Sequence, residues 1–136
     1  MNPSSLYRKA EVDAANGIRL VVVAYDGAIA FLERARQAID EGHAADATAH
    51  VLRAQRVVLQ LMLALDLETG DVARNLHRLY AFVLRRLAEA APARDRLALA
   101  DGLHVLKGLR SAWASVERPD GAAPSPDGVE RVSVVR

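Results

Sequence analysis

The sequence predicts an all-α fold, an antiparallel up-down four-helix bundle with an N-terminal arm and a flexible C-terminal tail. Three observations carry that prediction. Apolar residues recur at alternating three- and four-residue steps, the spacing that gathers side chains on one face of a helix. No proline interrupts residues 4–91, so nothing forces a break in that stretch. Nothing in that stretch alternates persistently with the period of two that a strand requires.

Glycine and proline divide the chain into four seam-bearing segments. The first is expected to start near Asn16, a good N-cap, and to run to about Glu41 before Gly42. It carries Ile18, Val21, Tyr25, Ala28, Leu32, Ala35 and Ile39 on one face. The second runs from about Ala44 to Asp66, with Ala47, Val51, Ala54, Val58, Leu61 and Leu65 as its seam. The third follows Gly70 with Asp71 as cap, carries Val72, Leu76, Leu79, Val83, Leu87 and Ala90, and ends at Ala91-Pro92. The fourth spans about Asp95 to Arg118 with Leu99, Leu103, Leu106, Leu109, Trp113 and Val116 in register, and Pro119 stops it. Leu32, Val58, Leu76, Val83 and Leu106 are therefore expected in the core. Short connections favour antiparallel neighbours. Residues 1–118 read as one helical domain that includes an arm over 1–15. Residues 119–136, rich in Pro, Gly, Ala, Ser and Asp, read as a disordered tail.

Composition narrows the function classes. The chain has no cysteine, which removes disulfides, thiolate zinc sites and cysteine nucleophiles together. A net charge of +1 gives no strong field for nucleic acid or membranes, and 4% aromatic content offers few stacking platforms. Neither a secretory signal nor a spanning segment is visible, so a cytoplasmic protein without membrane insertion is expected. His43, His50, His77 and His104 are scattered, and the nearest approach to a Glu-x-x-His metal motif is Asp101-Gly102-Leu103-His104, once and with the wrong acid. There is no phosphate loop and no G-x-S-x-G turn. The acids fall on polar faces as solvated or ion-paired surface. Tyr25, on a seam, reads as a core residue with its hydroxyl at the edge, and Trp113 reads as core. No catalytic residue, metal or cofactor is expected: the chain reads as a binding protein and not an enzyme.

The second helix is too apolar for one seam. It adds Leu52, Val57, Leu59, Met62, Leu63 and Leu67 to its inward set, while helix three adds Ala73, Tyr80, Phe82 and Leu84, and helix four adds Leu97 and Val105. A bundle helix needs an apolar stripe of roughly 100°. The surplus fits a helix buried on several sides, a homodimer face, or a groove for a partner helix. On the last reading Leu52, Leu59, Leu63, Tyr80 and Leu84 are candidate contacts, because they lie off the main seams.

Several pieces in order carry a resemblance. Tyr25-Asp26-Gly27-Ala28-Ile29, with Phe31-Leu32 and Ala35, resembles the first-helix signature of the flagellar export chaperone of flagellin, the FliS family. Leu65-Asp66-Leu67-Glu68-Thr69-Gly70, followed by Val72-Ala73-Arg74-Asn75-Leu76 and Leu79-Tyr80, is similar to that family's acidic-Gly turn and third-helix start. Arg85-Arg86-Leu87, Leu109-Arg110-Ser111-Ala112-Trp113, and Asn2-Pro3 with Tyr7 match in the same order over residues 2–117. Asn16-Gly17 departs from the family's usual Ser-Pro, and Arg8-Lys9 stands where glutamine is common. The resemblance implies an antiparallel helical bundle whose outer apolar surface holds the C-terminal segment of flagellin, preventing premature polymerisation and delivering it to the export gate. It also implies an arm, carrying Leu6 and Tyr7, that covers part of this surface. The competing readings are a self-associating bundle or an adaptor for a different helical client, and a small helical enzyme.

Overall fold

The computed structural model describes the backbone of residues 3–93 and 95–117, and the side chains of residues 17–91 and 95–116. Four helices account for most of it: α1 (Pro3–Asp40), α2 (Ala44–Leu63), α3 (Asp71–Ala93) and α4 (Arg96–Glu117). Each packs against two others, α1 and α3 both lying between α2 and α4, so the four close into a ring. This is the expected four-helix bundle, with no strand among the described residues. The predicted tail, 119–136, lies outside the described residues.

The helix ends differ from the sequence expectation in four places. α1 begins at Pro3 and passes straight through Asn16 and Gly17. Proline is favoured in a first turn, where its missing N–H is no loss. Ala10, Glu11, Ala14 and Ala15 are good helix formers. An interior glycine costs only about 1 kcal/mol, so neither Gly17 nor Gly27 stops a helix of 38 residues. α2 stops at Leu63, earlier than Asp66, and a 3-10 turn over Leu67–Thr69 follows. There Asp66 takes over the chain: its carboxylate accepts the Glu68 N–H, and its carbonyl accepts both the N–H and the hydroxyl of Thr69. Gly70, at φ 132°, then turns the backbone into α3, so Asp71 is the first helical residue and not the cap. α3 also continues through Pro92 to Ala93.

The other two turns follow the sequence signals. Gly42 adopts φ 78°, which its missing Cβ permits, and closes α1 with paired bonds from Gly42 N to the Ile39 carbonyl and from His43 N to the Ala38 carbonyl. Asp95 caps α4, its carboxylate accepting from the N–H groups of Leu97 at 3.0 Å and Ala98 at 3.1 Å.

All five expected core residues, Leu32, Val58, Leu76, Val83 and Leu106, are buried. The α3 seam needs one correction: Ala73 and Tyr80 point inward and Leu79 points out, giving Ala73, Leu76, Tyr80, Val83, Leu87 and Ala90 at alternating steps of three and four. Gly102 brings α4 close to α3, since a Cβ there would lie 2.8 Å from Leu87 Cδ2.

A row of ion pairs fixes α1 against α4. Asp26, Glu33 and Asp40, seven residues apart, meet Arg110 (2.9 Å), Lys107 (2.8 Å) and Arg96 (2.7 Å). Residue numbers rise on α1 as they fall on α4, so the two helices run antiparallel. Each pair is solvent-exposed and worth at most about 1 kcal/mol, so the row sets register more than stability.

Candidate functional site

The surplus apolar surface survives folding. Leu52, Leu59 and Leu63 on α2 are 48%, 41% and 62% exposed, and Leu67 just beyond is 40% exposed. Leu20 and Val23, one turn apart on α1, and Leu97 on α4 are exposed as well, though they do not extend into a row. The α2 leucines form a row. From Thr48, residues Leu52, Arg56, Leu59 and Leu63 follow at steps of four, four, three and four, which keeps them on one flank of the helix.

One hydrogen bond shows which way that flank faces. Thr48 Oγ1 donates to the Ala91 carbonyl at 3.2 Å, supplying a partner for one of the orphan carbonyls at the α3 end. The matching flank of α3, traced back from Ala91, is Ala88, Leu84, Ala81 and His77 at steps of three and four. The α2 leucines therefore lie on the flank of α2 that adjoins α3, where the matching flank carries small alanines and the half-buried Leu84. A partner helix laid along this seam would meet apolar side chains from α2 and could approach α3 closely over its alanines.

The other side of α3 holds a second concavity. Val72, Asn75, Leu76 and Leu79 from α3 face Leu109, Ala112, Trp113 and Val116 from α4 around an open hollow of about 260 Å³. Here Leu79, outward-pointing and 37% exposed, belongs to the surface that the sequence assigned to Tyr80.

Tyr80 itself is a correction. It is 2% exposed and its hydroxyl hydrogen-bonds the hydroxyl of Tyr25, which is fully buried and not at the bundle edge. Burial pushes the Tyr80 hydroxyl up to about 12, with the Tyr25 hydrogen bond pulling the other way. Tyr25 is raised further, first by burial and then by Tyr80, against a smaller downward effect of a hydrogen bond with Trp113. Trp113, 5% exposed, thus joins the core to the floor of the hollow.

Of the residues singled out from sequence, Leu52, Leu59, Leu63 and Leu84 come together on the α2–α3 side. Tyr80 does not join them. The Leu6 and Tyr7 side chains lie outside the described residues. Sequence reasoning missed Leu79 and the hollow. The available signal was the alternative six-residue seam of α3, in which Ala73 and Tyr80 take the inward places. Among the described residues no three His, Asp or Glu gather as a metal site, and no helix is long and apolar enough to cross a membrane.

Comparison with known proteins bears on what such a bundle holds. The family model described as flagellar protein FliS matches residues 1–120. A flagellar secretion chaperone FliS of Vibrio cholerae is 28% identical over 115 residues, covering 81% of this chain and 85% of that protein. The flagellar secretion chaperone FliSB of Pseudomonas aeruginosa is 30% identical over 109 residues, 79% of this chain and 86% of its own. FliS of Bacillus subtilis, also named a flagellar secretion chaperone, is 25% identical over 112 residues, 82% and 84% of the two chains.

Proposed function

The chain belongs to the FliS family of flagellar proteins, and on that premise we propose that it is a flagellar secretion chaperone whose client is the C-terminal helical segment of flagellin. The observation that carries the client's place is the exposed leucine row of α2 beside the alanine-bearing flank of α3. Such a row is costly to leave in water, and its leucines, at i, i+7 and i+11, share one helix face, as the docking of a partner helix requires. The hollow between α3 and α4 would take a second apolar stretch of the same segment. Unassembled flagellin with its amphipathic end covered would stay soluble in the cytoplasm until the export apparatus receives it. The chemistry is binding alone: the client folds as it docks, and the cost of ordering it offsets part of the contact energy. Release at the export gate then needs no bond to be broken.

The N-terminal stretch carrying Leu6 and Tyr7, continuous with α1, would compete for the same surface in the free protein only by opening the helix near Asn16-Gly17. That would lower apparent affinity by the fraction of covered molecules while hiding apolar area from aggregation.

Calorimetric titration with a C-terminal flagellin peptide tests the reading. Wild-type protein should bind, whereas Leu59→Asp and Leu63→Asp should abolish binding while circular dichroism shows unchanged helix, since both side chains are already exposed. Unchanged affinity in both folded variants would move the client elsewhere.

A further inference from the structure

The hollow between α3 and α4 opens where the described chain ends. Val116 lines it, and α4 stops one residue later, at Glu117. Its walls are apolar: Val72, Leu109 and Val116 are half-buried, and Leu79 is 37% exposed. Asn75 is the polar exception. Its Oδ1 accepts from Arg78 at 3.5 Å, which leaves the amide N–H groups to donate elsewhere.

The remainder of the chain has two parts. Residues 119–128 consist of Pro, Gly, Ala, Ser and Asp, the composition of a spacer. Residues 129–135 differ in kind: Val129, Val132, Val134 and Val135 are β-branched and apolar, with only Glu130, Arg131 and Ser133 among them. Such residues favour an extended backbone, in which Val132 and Val134 share one side and Val129 and Val135 the other. Either side presents a valine pair. In sequence this segment has nothing of its own to pair with, and the hollow supplies the missing surface. Reach is no obstacle. From Leu109 to Val116 the hollow runs about 10 Å along α4, whereas residues 119–128 can span up to about 30 Å.

We propose that residues 129–135 of this chain fold back along α4 and occupy the hollow in the free protein. A valine pair lies against Leu79, Leu109 and Trp113, and the Asn75 amide bonds the segment's main chain. The tether favours this occupant over an untethered one. A segment joined to the rim by a short spacer acts at an effective concentration of roughly millimolar, so a weak contact suffices to hold it. Docking removes Leu79 and the valines from water together, which lowers the apolar area open to aggregation. On the flagellin reading the segment keeps the place of the client's second apolar stretch until the client displaces it. Its docking does not depend on that reading.

The test uses the full chain, whose lack of cysteine allows a single spin label at Arg136→Cys. In the nuclear magnetic resonance spectrum, the amide signals of Asn75, Leu79, Leu109 and Trp113 should lose most of their intensity. Those of Gly42 and His43, at the other end of the bundle, should keep theirs. Val129→Ser/Val132→Ser/Val134→Ser/Val135→Ser in the labelled chain should restore the lost signals. Leu79→Glu should restore those of Asn75, Leu109 and Trp113, with circular dichroism checking that the helices persist. Full intensity in the labelled chain without these substitutions would overturn the proposal. Equal losses in the serine variant would overturn it too, because they would come from the tether's proximity alone. Losses on isotope-labelled protein without a spin label, mixed with spin-labelled copies, would assign the hollow to a second copy's tail and likewise overturn it.

Discussion

Two phenol hydroxyls, from Tyr25 and Tyr80, meet in the core and satisfy each other. Neither polar atom has water to fall back on, so the pair behaves as a unit. Tyr80→Phe should cost about 1–3 kcal/mol, because it orphans part of the hydrogen bonding of Tyr25, while Tyr25→Phe/Tyr80→Phe should cost clearly less than the two single losses added. Urea unfolding of the four proteins checks this; strict additivity would mean the hydroxyls do not interact. Both hydroxyls titrate above the ordinary tyrosine value of 10.0. The folded state thus holds its phenol protons more tightly than the unfolded chain. The associated stability is complete below about pH 10 and drains away as pH rises through about 12. Tyr80 was also the hardest residue to place from sequence. Leu79 and Tyr80 are adjacent, and either completes a three-four pattern with Leu76 and Val83. Hydrophobicity favours leucine inside, and the tyrosine wins only because Tyr25 on the facing helix supplies a partner for its hydroxyl, which a one-dimensional pattern does not display.

At the scale of elements, the ion-pair row between α1 and α4 acts as a ruler. The apolar seams alone would tolerate sliding by a turn, since a three-four pattern nearly repeats itself. Asp26, Glu33 and Asp40 match Arg110, Lys107 and Arg96 in only one register. Asp26→Asn/Glu33→Gln/Asp40→Asn should lower stability by about 1–2 kcal/mol at low salt, discounted for exposure, and by much less at high salt. Denaturation at two salt concentrations reads the difference; a salt-independent loss would assign the effect to something other than charge. Element existence was legible because each helix carries its own apolar period and a Gly, Pro or Asp punctuation. Element ends were less so. The start of α1 departs from its local signal: Asn16-Gly17 looks like a boundary, yet the good helix formers before it make continuation cheaper than a stop. The surplus leucines of α2 were legible for the opposite reason: they exceed what a single core face can absorb.

The whole molecule is held by four adjacent helix pairs, with no helix at its centre. That arrangement explains why fold class was readable from local pattern alone, for most of the packing joins neighbours in the ring, while the Tyr25–Tyr80 bond crosses it. It also explains why the hollow was not: its lining comes from both α3 and α4, Trp113 included, so no single helix displays it. Ring closure has one more consequence. α1 and α4, the first and last helices in chain order, are neighbours in space, so the start of the α1 core near Ile18 lies at the same end as the α4 terminus near Trp113. Chain order is then a convention that the packing does not need. A circular permutant, opened in the turn at Glu41–His43 and joined by a flexible linker from Glu117 to Gly17, should fold to the same bundle and unfold in a single cooperative transition.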